Sequence, residues 1–474
     1  MHEDATKPSK YRRLAGDTLL FGISSFGSRI LLLLLTPLYT SLLSEAEYGT
    51  ADLIQTTVSF LYPVLTLAMA DAAMRFAMDK TCRREAVLGN TLLISLLATL
   101  FLLPFYPLIA LWQPELTAYF GIFLLLFTLF NLHNTLSCFI KGIGMTRLFA
   151  IQAIVQTATI IAGNLLFLLG AGWRLEGYLY SLAIGYLLPS LLMFFGGRLW
   201  RYLAPPRLEG GLLVVMLRYS LPIIPALLAW EVNSHIDRYM ITGILDISQN
   251  GLYGAAHKIP TMLTAVLTVF LQAWQLSAIE NHGEREESDY HTEVYTAFET
   301  VGLLACLALI ALSKPIAHLL FAGDFFVAWQ YVPMLLVSAL FSALAGFLAA
   351  AFRAEKKTGG LLLSVILGAA VNILLNLLLL PVLHLQGAAI ATAISFFCVW
   401  LIRVFSVQCL IRIRLPILRT CLSYLLLAIG TTAIAFGMPY ALPLFAALSL
   451  LIITLRAKEI GLLCRTAWRF VKKK

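Results

Sequence analysis

Residues 14–43 read LAGDTLLFGISSFGSRILLLLLTPLYTSLL, a run whose only charged side chains are Asp17 and Arg29. A helix needs roughly 20 apolar residues to cross a bilayer core, and this run exceeds that. It is too long for the apolar region of a cleavable signal and carries no A-x-A site, so it reads as an uncleaved first span.

The remainder of the 474-residue chain repeats the pattern. Apolar residues make up 60% and charged residues only 12%, against about 25% charged in a water-soluble domain. Such a chain in water would cover its surface with Leu, Ile and Phe; lipid removes the conflict. The spacing predicts fourteen spans, near 14–43, 48–78, 86–111, 116–140, 148–171, 176–197, 212–243, 251–278, 292–313, 327–352, 359–381, 386–411, 416–436 and 439–456. The expected fold class is all-α, a polytopic membrane protein.

The basic residues orient these spans. Of the 34 Lys and Arg, two fall in outer loops, Arg174 and Lys314, and five lie well within spans, Arg29, Arg75, Arg238, Lys258 and Arg403. All others fall in segments, or toward span ends, that are cytoplasmic if the N-terminus is inside. A missed helix would invert every later loop and destroy this bias, so both termini are expected in the cytoplasm. The net charge of +9 is then topogenic charge facing anionic lipid; no basic soluble module for nucleic acid exists. The seven cysteines form no CxxC pair and no disulfide framework.

The halves resemble each other. Tyr48-Gly49-Thr50-Ala51-Asp52 opens span 2 and Tyr253-Gly254-Ala255-Ala256-His257 opens span 8. Lys141 to Thr146 leads into span 5 with Asn164; Arg353 to Thr358 leads into span 11 with Asn376. Leu175-Glu176-Gly177 and Leu385-Gln386-Gly387 open spans 6 and 12. Matching elements share an orientation, so the repeat is parallel. The expected domains are an N-terminal lobe of six spans (1–205), a C-terminal lobe of six (206–415), and spans 13 and 14 with a basic tail (416–474). Transporters built of two such repeats hold substrate between lobes and alternate access.

A cation inside the bilayer costs at least ~2.5–3.5 kcal/mol, so the intramembrane bases carry information. Arg29, Arg75, Arg238 and Lys258 are the expected anion-binding group, because guanidinium binds phosphate bidentately and stays charged. Arg75 has Asp71 at i−4, a spacing suited to an intrahelical ion pair, and Arg403 sits where it can snorkel to the interface. Helical steps of three and four place Gln55 and Ser59 on one polar face of span 2. They place His257, Thr261 and Thr264, with Thr268, Gln272 and Gln275, on one face of span 8. Ser25 shares a face with Arg29. These residues are the expected lining of a hydrated cavity. Glu231, His235, Asp237 and Asp71 are the candidates for a coupling proton or Na⁺, with structural hydrogen bonding as the alternative. No cofactor is expected: metal-ligand spacing, a P-loop and a G-x-S-x-G elbow are all absent from the sequence.

Pro37-Leu38-Tyr39-Thr40 with Glu47-Tyr48-Gly49 resembles the start of the polysaccharide-biosynthesis, or Wzx-like, flippases of the multidrug/oligosaccharidyl-lipid/polysaccharide exporter superfamily. Asp237-Arg238-Tyr239, Gly251-Leu252-Tyr253, Lys258 and Gln272-Ala273-Trp274 resemble the start of their second lobe. The resemblance implies a V-shaped fold in a bacterial cytoplasmic (inner) membrane. It implies flipping of an undecaprenyl-diphosphate-linked oligosaccharide, a lipid-linked glycan, to the outer leaflet, with membrane lipids and a polysaccharide polymerase or glycosyltransferase as partners. Fourteen spans are also similar to the lipid II flippases, and the superfamily includes multidrug exporters.

Overall fold

The computed structural model describes residues 30–79, 81–105, 118–203, 210–280, 287–354, 359–408 and 416–461, together with Gly27. Side chains at 272–280, 287–291, 353–354 and a few isolated positions are outside this description. The described residues form helices and no strands.

In chain order the helices are α1 (Thr36–Leu42), α2 (Glu45–Leu65), α3 (Met69–Met78), α4 (Arg84–Leu102), α5 (Phe120–Gly142), α6 (Thr146–Gly163) and α7 (Arg174–Gly196). They continue as α8 (Gly210–Ser220), α9 (Ile224–Ile244), α10 (Ile247–Ala256), α11 (Lys258–Glu280), α12 (Glu287–Ala311), α13 (Ser313–Leu320) and α14 (Val332–Ala354). The last are α15 (Gly359–Val407), α16 (Ile417–Ala435) and α17 (Ala441–Leu455). The chain divides into two compact units, Met1–His235 and Ile236–Lys474, the division falling inside α9.

Nine described helices are long and apolar enough to cross a membrane, or ten with α2 and α3 taken as one bent span. The expected count of fourteen is not reached on this measure, for identifiable reasons. Span 1 is described only from Ile30, spans 11 and 12 run together as α15, and α17 has 15 residues. Span 8 is divided into α10 and α11 at His257. The chain is a multi-pass membrane protein.

Local chemistry sets several of these ends. Ser44 and Glu47 form a capping box at the start of α2: the Glu47 amide donates to Ser44 Oγ (3.2 Å) and the Ser44 amide to Glu47 Oε2 (2.8 Å). Pro63 sits inside α2, and Leu67 and Ala68 follow at φ 53° and 50°, bending span 2 by 58° before α3. Leu221-Pro222-Ile223 similarly interrupts α8 and α9.

Within the first unit α3 packs through Ala72, Ala73 and Ala77 against Leu136, Phe139 and Ile140 of α5, with Met193 of α7 and Met216 of α8 completing the cluster. In lipid there is little hydrophobic drive between helices, so small side chains that admit close backbone contact carry much of the association. Helix ends that alternate crossing puts on one side do meet. Arg174 at the start of α7 pairs with Glu47 at the start of α2 (2.8 Å). In the second unit the Gln386 amide donates to Gln330 O (2.9 Å) and Ala435 O (2.8 Å), joining the starts of spans 10 and 12 to the end of span 13.

The repeated motifs do repeated work. Asn164 and Asn376 are fully buried, and each donates its amide to the carbonyl four residues earlier, Ile160 O at 2.7 Å and Asn372 O at 3.0 Å. Gly177 and Gly387 mark turns where the next helix starts against the end of its predecessor. A Cβ there would lie 3.1 Å from Phe167 O and 2.4 Å from Leu379 O respectively.

Candidate functional site

Asp237 is the centre of the best-defined polar group in the second unit. It lies on α9 and is 1% exposed. Its Oδ2 accepts from the Tyr253 hydroxyl of α10 (2.6 Å) and the Thr392 hydroxyl of α15 (3.2 Å); its Oδ1 accepts from the Arg238 amide (3.0 Å). Three donors on three segments hold a carboxylate in place, which is what a buried anion requires. The single hydroxyl hydrogen of Thr392 is shared between Asp237 Oδ2 and Ala388 O (2.9 Å). Close along α15, Asn372 donates to Ser395 Oγ (3.3 Å), and Asn376 to Asn372 Oδ1 (2.9 Å).

Tyr48, the counterpart of Tyr253, is likewise buried, and two aromatic rings surround it. Its ring lies 6.4 Å from both Tyr39 and Tyr178, which make an edge contact at 4.7 Å. Gln55 donates to the Tyr178 hydroxyl (3.2 Å) and to Ala51 O (3.3 Å). The repeat thus keeps a buried Tyr in both units.

The expected site residues distribute as follows. Arg29 and Ser25 lie outside the described residues. Arg75 is exposed on its own unit, and the intrahelical pair with Asp71 does not form: the cation facing Asp71 is Lys141 of α5, while Arg75 acts on Asp79. On α3, set at 58° to α2, Asp71 is half-buried whereas Arg75 is exposed. Asp79, in the loop after α3, accepts from the Thr81 amide (2.9 Å) and hydroxyl (2.7 Å), and these bonds hold its carboxyl below the usual carboxylate range.

Arg238 is 7% exposed and has Asp237 beside it as counter-charge. His235 and Glu231 stand one turn apart with Nε2–Oε2 at 3.8 Å. His257 meets the Tyr253 ring edge-on at 4.8 Å, and Lys258 and Ser59 are half-buried. On α11 Thr261 is exposed and Thr264 and Thr268 are half-buried, while Ile259, Leu263 and Leu267 are buried; Val266 and Phe270 are exposed as well. The threonine hydroxyls are satisfied by their own helix: Thr261 donates to Lys258 O, Thr264 to Thr261 O and Thr268 to Thr264 O. The side chains of Gln272 and Gln275 lie outside the described residues.

Two charges depart from the sequence expectation. Arg403 does not snorkel: it is 3% exposed, donating from Nε to Ser364 Oγ (3.0 Å) and from Nη1 to Ala345 O (2.7 Å). Arg456, expected to be a cytoplasmic tail charge, is buried in a two-point pair with Glu299. Glu299 was findable as an acid within an apolar stretch; Tyr253 and Thr392 as partners of Asp237 were not.

The profile of one family, described as polysaccharide biosynthesis protein, matches residues 14–275, more than half of the chain. The chain belongs to the polysaccharide biosynthesis protein family. Its match spans the first unit, Asp237 and Tyr253. No curated protein matches. Solved structures show that this family member has the fold of a transporter superfamily. The lipid II flippase MurJ in an inward closed conformation matches with TM-score 0.69 and 17% identity, over 95% of this chain and 99% of that one. An inward-facing multidrug resistance MATE family transporter of the MOP superfamily matches with TM-score 0.66 and 14% identity, over 81% and 95%. A MOP superfamily transporter from Pyrococcus furiosus, described by the reverse polarity of its binding pocket, matches with TM-score 0.60 and 16% identity, over 83% and 96%.

Proposed function

We propose that this family member is a flippase-type transporter, not an enzyme. It moves an undecaprenyl-diphosphate-linked oligosaccharide from the cytoplasmic to the outer leaflet of a bacterial cytoplasmic membrane by alternating access. The observation that carries this reading is the placing of intramembrane cations on the first two spans of each repeat: Arg29 and Arg75, then Arg238 and Lys258. Arg75, exposed on its unit, is not consumed by Asp71. These bases would hold the diphosphate while sugars cross in water and the polyprenyl tail stays in lipid. Ser25, Gln55, Ser59, His257, Thr261 and Thr264 would line the path. Asp237 is the preferred coupling group for a proton or Na⁺, being the acid with the most organised surroundings; Glu231, His235 and Asp71 rank below it. A polymerase or glycosyltransferase of the same pathway is the expected partner.

A second reading is favoured by one observation. The match to the lipid II flippase covers 95% of the chain, against 81% for the multidrug transporter, so lipid II is the alternative cargo. A drug exporter of the same fold is third, because bases rather than acids mark the expected cavity.

The test is complementation of a strain lacking its oligosaccharide flippase. R29A should abolish surface glycan while the protein remains inserted. Undiminished export by R29A, or rescue only of a lipid II-flippase-deficient strain, sinks the oligosaccharide reading.

A further inference from the structure

The connector between α12 and α14 has a composition that its role as a loop does not require. It reads LSKPIAHLLFAGDFFVAWQY over residues 312–331, joining two apolar membrane helices, Thr292–Ala311 and Val332–Phe352. It is folded throughout, as α13 followed by a 3-10 helix, Gly323–Gln330. Gln386 holds its far end through Gln330 O.

Helical spacing divides α13 into three edges. Ser313, Ala317 and Leu320 are buried against the unit. Leu312, Pro315 and Leu319 form an exposed apolar edge, with Leu319 73% exposed. Lys314 and His318, one turn apart, form an exposed basic edge. Both basic groups rest on aromatic rings of the 3-10 helix. Lys314 Nζ lies 5.2 Å from the Trp329 centroid, and the His318 ring stacks on Phe326 at 4.1 Å. No acid pairs with Lys314 among the described residues.

An exposed Leu edge suits hydrocarbon and an adjoining basic edge suits phosphate. A helix carrying both lies in the plane of the membrane interface. The flanking spans fix the segment at that depth, and Trp329 and Tyr331 are the residue types that settle there. Lys314 is one of two basic residues in loops on its expected side of the membrane, and the other, Arg174, is matched by Glu47. We propose that residues 312–331 form an interfacial anchor whose Lys314–His318 edge binds the headgroup phosphate of an anionic bilayer phospholipid. Leu312 and Leu319 enter the acyl boundary beside it.

The full-length protein in phosphatidylglycerol-containing vesicles tests both parts. A membrane-impermeant maleimide, given access to both faces and read above the wild-type background, should modify D324C readily and L319C only after detergent dissolves the bilayer. Equal modification of both in intact vesicles overturns the placement. Native mass spectrometry should then show phosphatidylglycerol retained over phosphatidylcholine, with retention about fivefold weaker in K314Q and restored in K314R. Unchanged retention in K314Q and in the K314Q/H318Q double variant overturns the phosphate contact. Retention lost equally in K314R would show a packing role and overturn it as well.

Discussion

Arg456 and Glu299 bind each other through two parallel hydrogen bonds of 2.9 Å, Nη1 to Oε2 and Nη2 to Oε1, with side-chain exposures of 1% and 0%. Tyr424 donates its hydroxyl to Glu299 Oε1 (2.5 Å), and Arg456 Nη2 donates to Thr420 Oγ1 (3.2 Å). Arg419, in the first turn of α16, and Glu459, just after α17, make a second ion pair. This polar cluster fixes the last two spans to α12, so they belong to the second unit rather than hanging from it.

Removing one partner of such a pair strands a buried charge. R456M should therefore destabilise the protein by about 3–5 kcal/mol, whereas E299L/R456M should recover most of that loss. Thermal unfolding in detergent measures both. A single variant as stable as wild type would show that the pair holds nothing together.

Asp237 is the second target. D237N keeps the shape and can still accept from Tyr253 and Thr392 but removes the charge. Transport should fall on the order of tenfold or more, ~1.4 kcal/mol per decade, and lose its response to the proton or Na⁺ gradient, with the protein still folded. Thr392→Val deletes one donor of three and should cost about 1 kcal/mol of stability. A D237N protein that keeps its ion response excludes Asp237 as the coupling group.

The paired glycines predict a graded response. G387A brings a Cβ to 2.4 Å of Leu379 O, backbone that cannot swing away, while G177A reaches 3.1 Å from Phe167 O. Overpacking costs about 1–3 kcal/mol, so G387A should lose more stability than G177A. The opposite order in melting temperatures refutes the close-approach account.

Ala68 holds a left-handed conformation at φ 50°, ψ 31°, in the bend of span 2. That conformation costs an L-residue roughly 1–2 kcal/mol, and glycine's greater unfolded freedom costs about 0.5–1 kcal/mol. A68G should thus stabilise the protein by up to about 1 kcal/mol. A lower melting temperature would mean that the Ala68 methyl group packs better than its buried position suggests.

The sequence by itself determined the membrane solvent, the helical class and the internal repeat, because each is written in short-range statistics. Apolar run length answers to bilayer thickness, and Asn164 with Asn376, or Gly177 with Gly387, recur because the same local turn and helix start are built twice. The tertiary structure alone decided which charges are matched. Arg456 looked like a tail residue and Arg403 like a snorkelling one, yet their partners lie 157 residues away at Glu299 and 39 and 58 residues away at Ser364 and Ala345. Asp237 gains its hydroxyl donors from Tyr253 and Thr392, 16 and 155 residues on. Helical periodicity says which residues share a face; only packing says what that face meets. A buried charge takes its character from whatever stands opposite it.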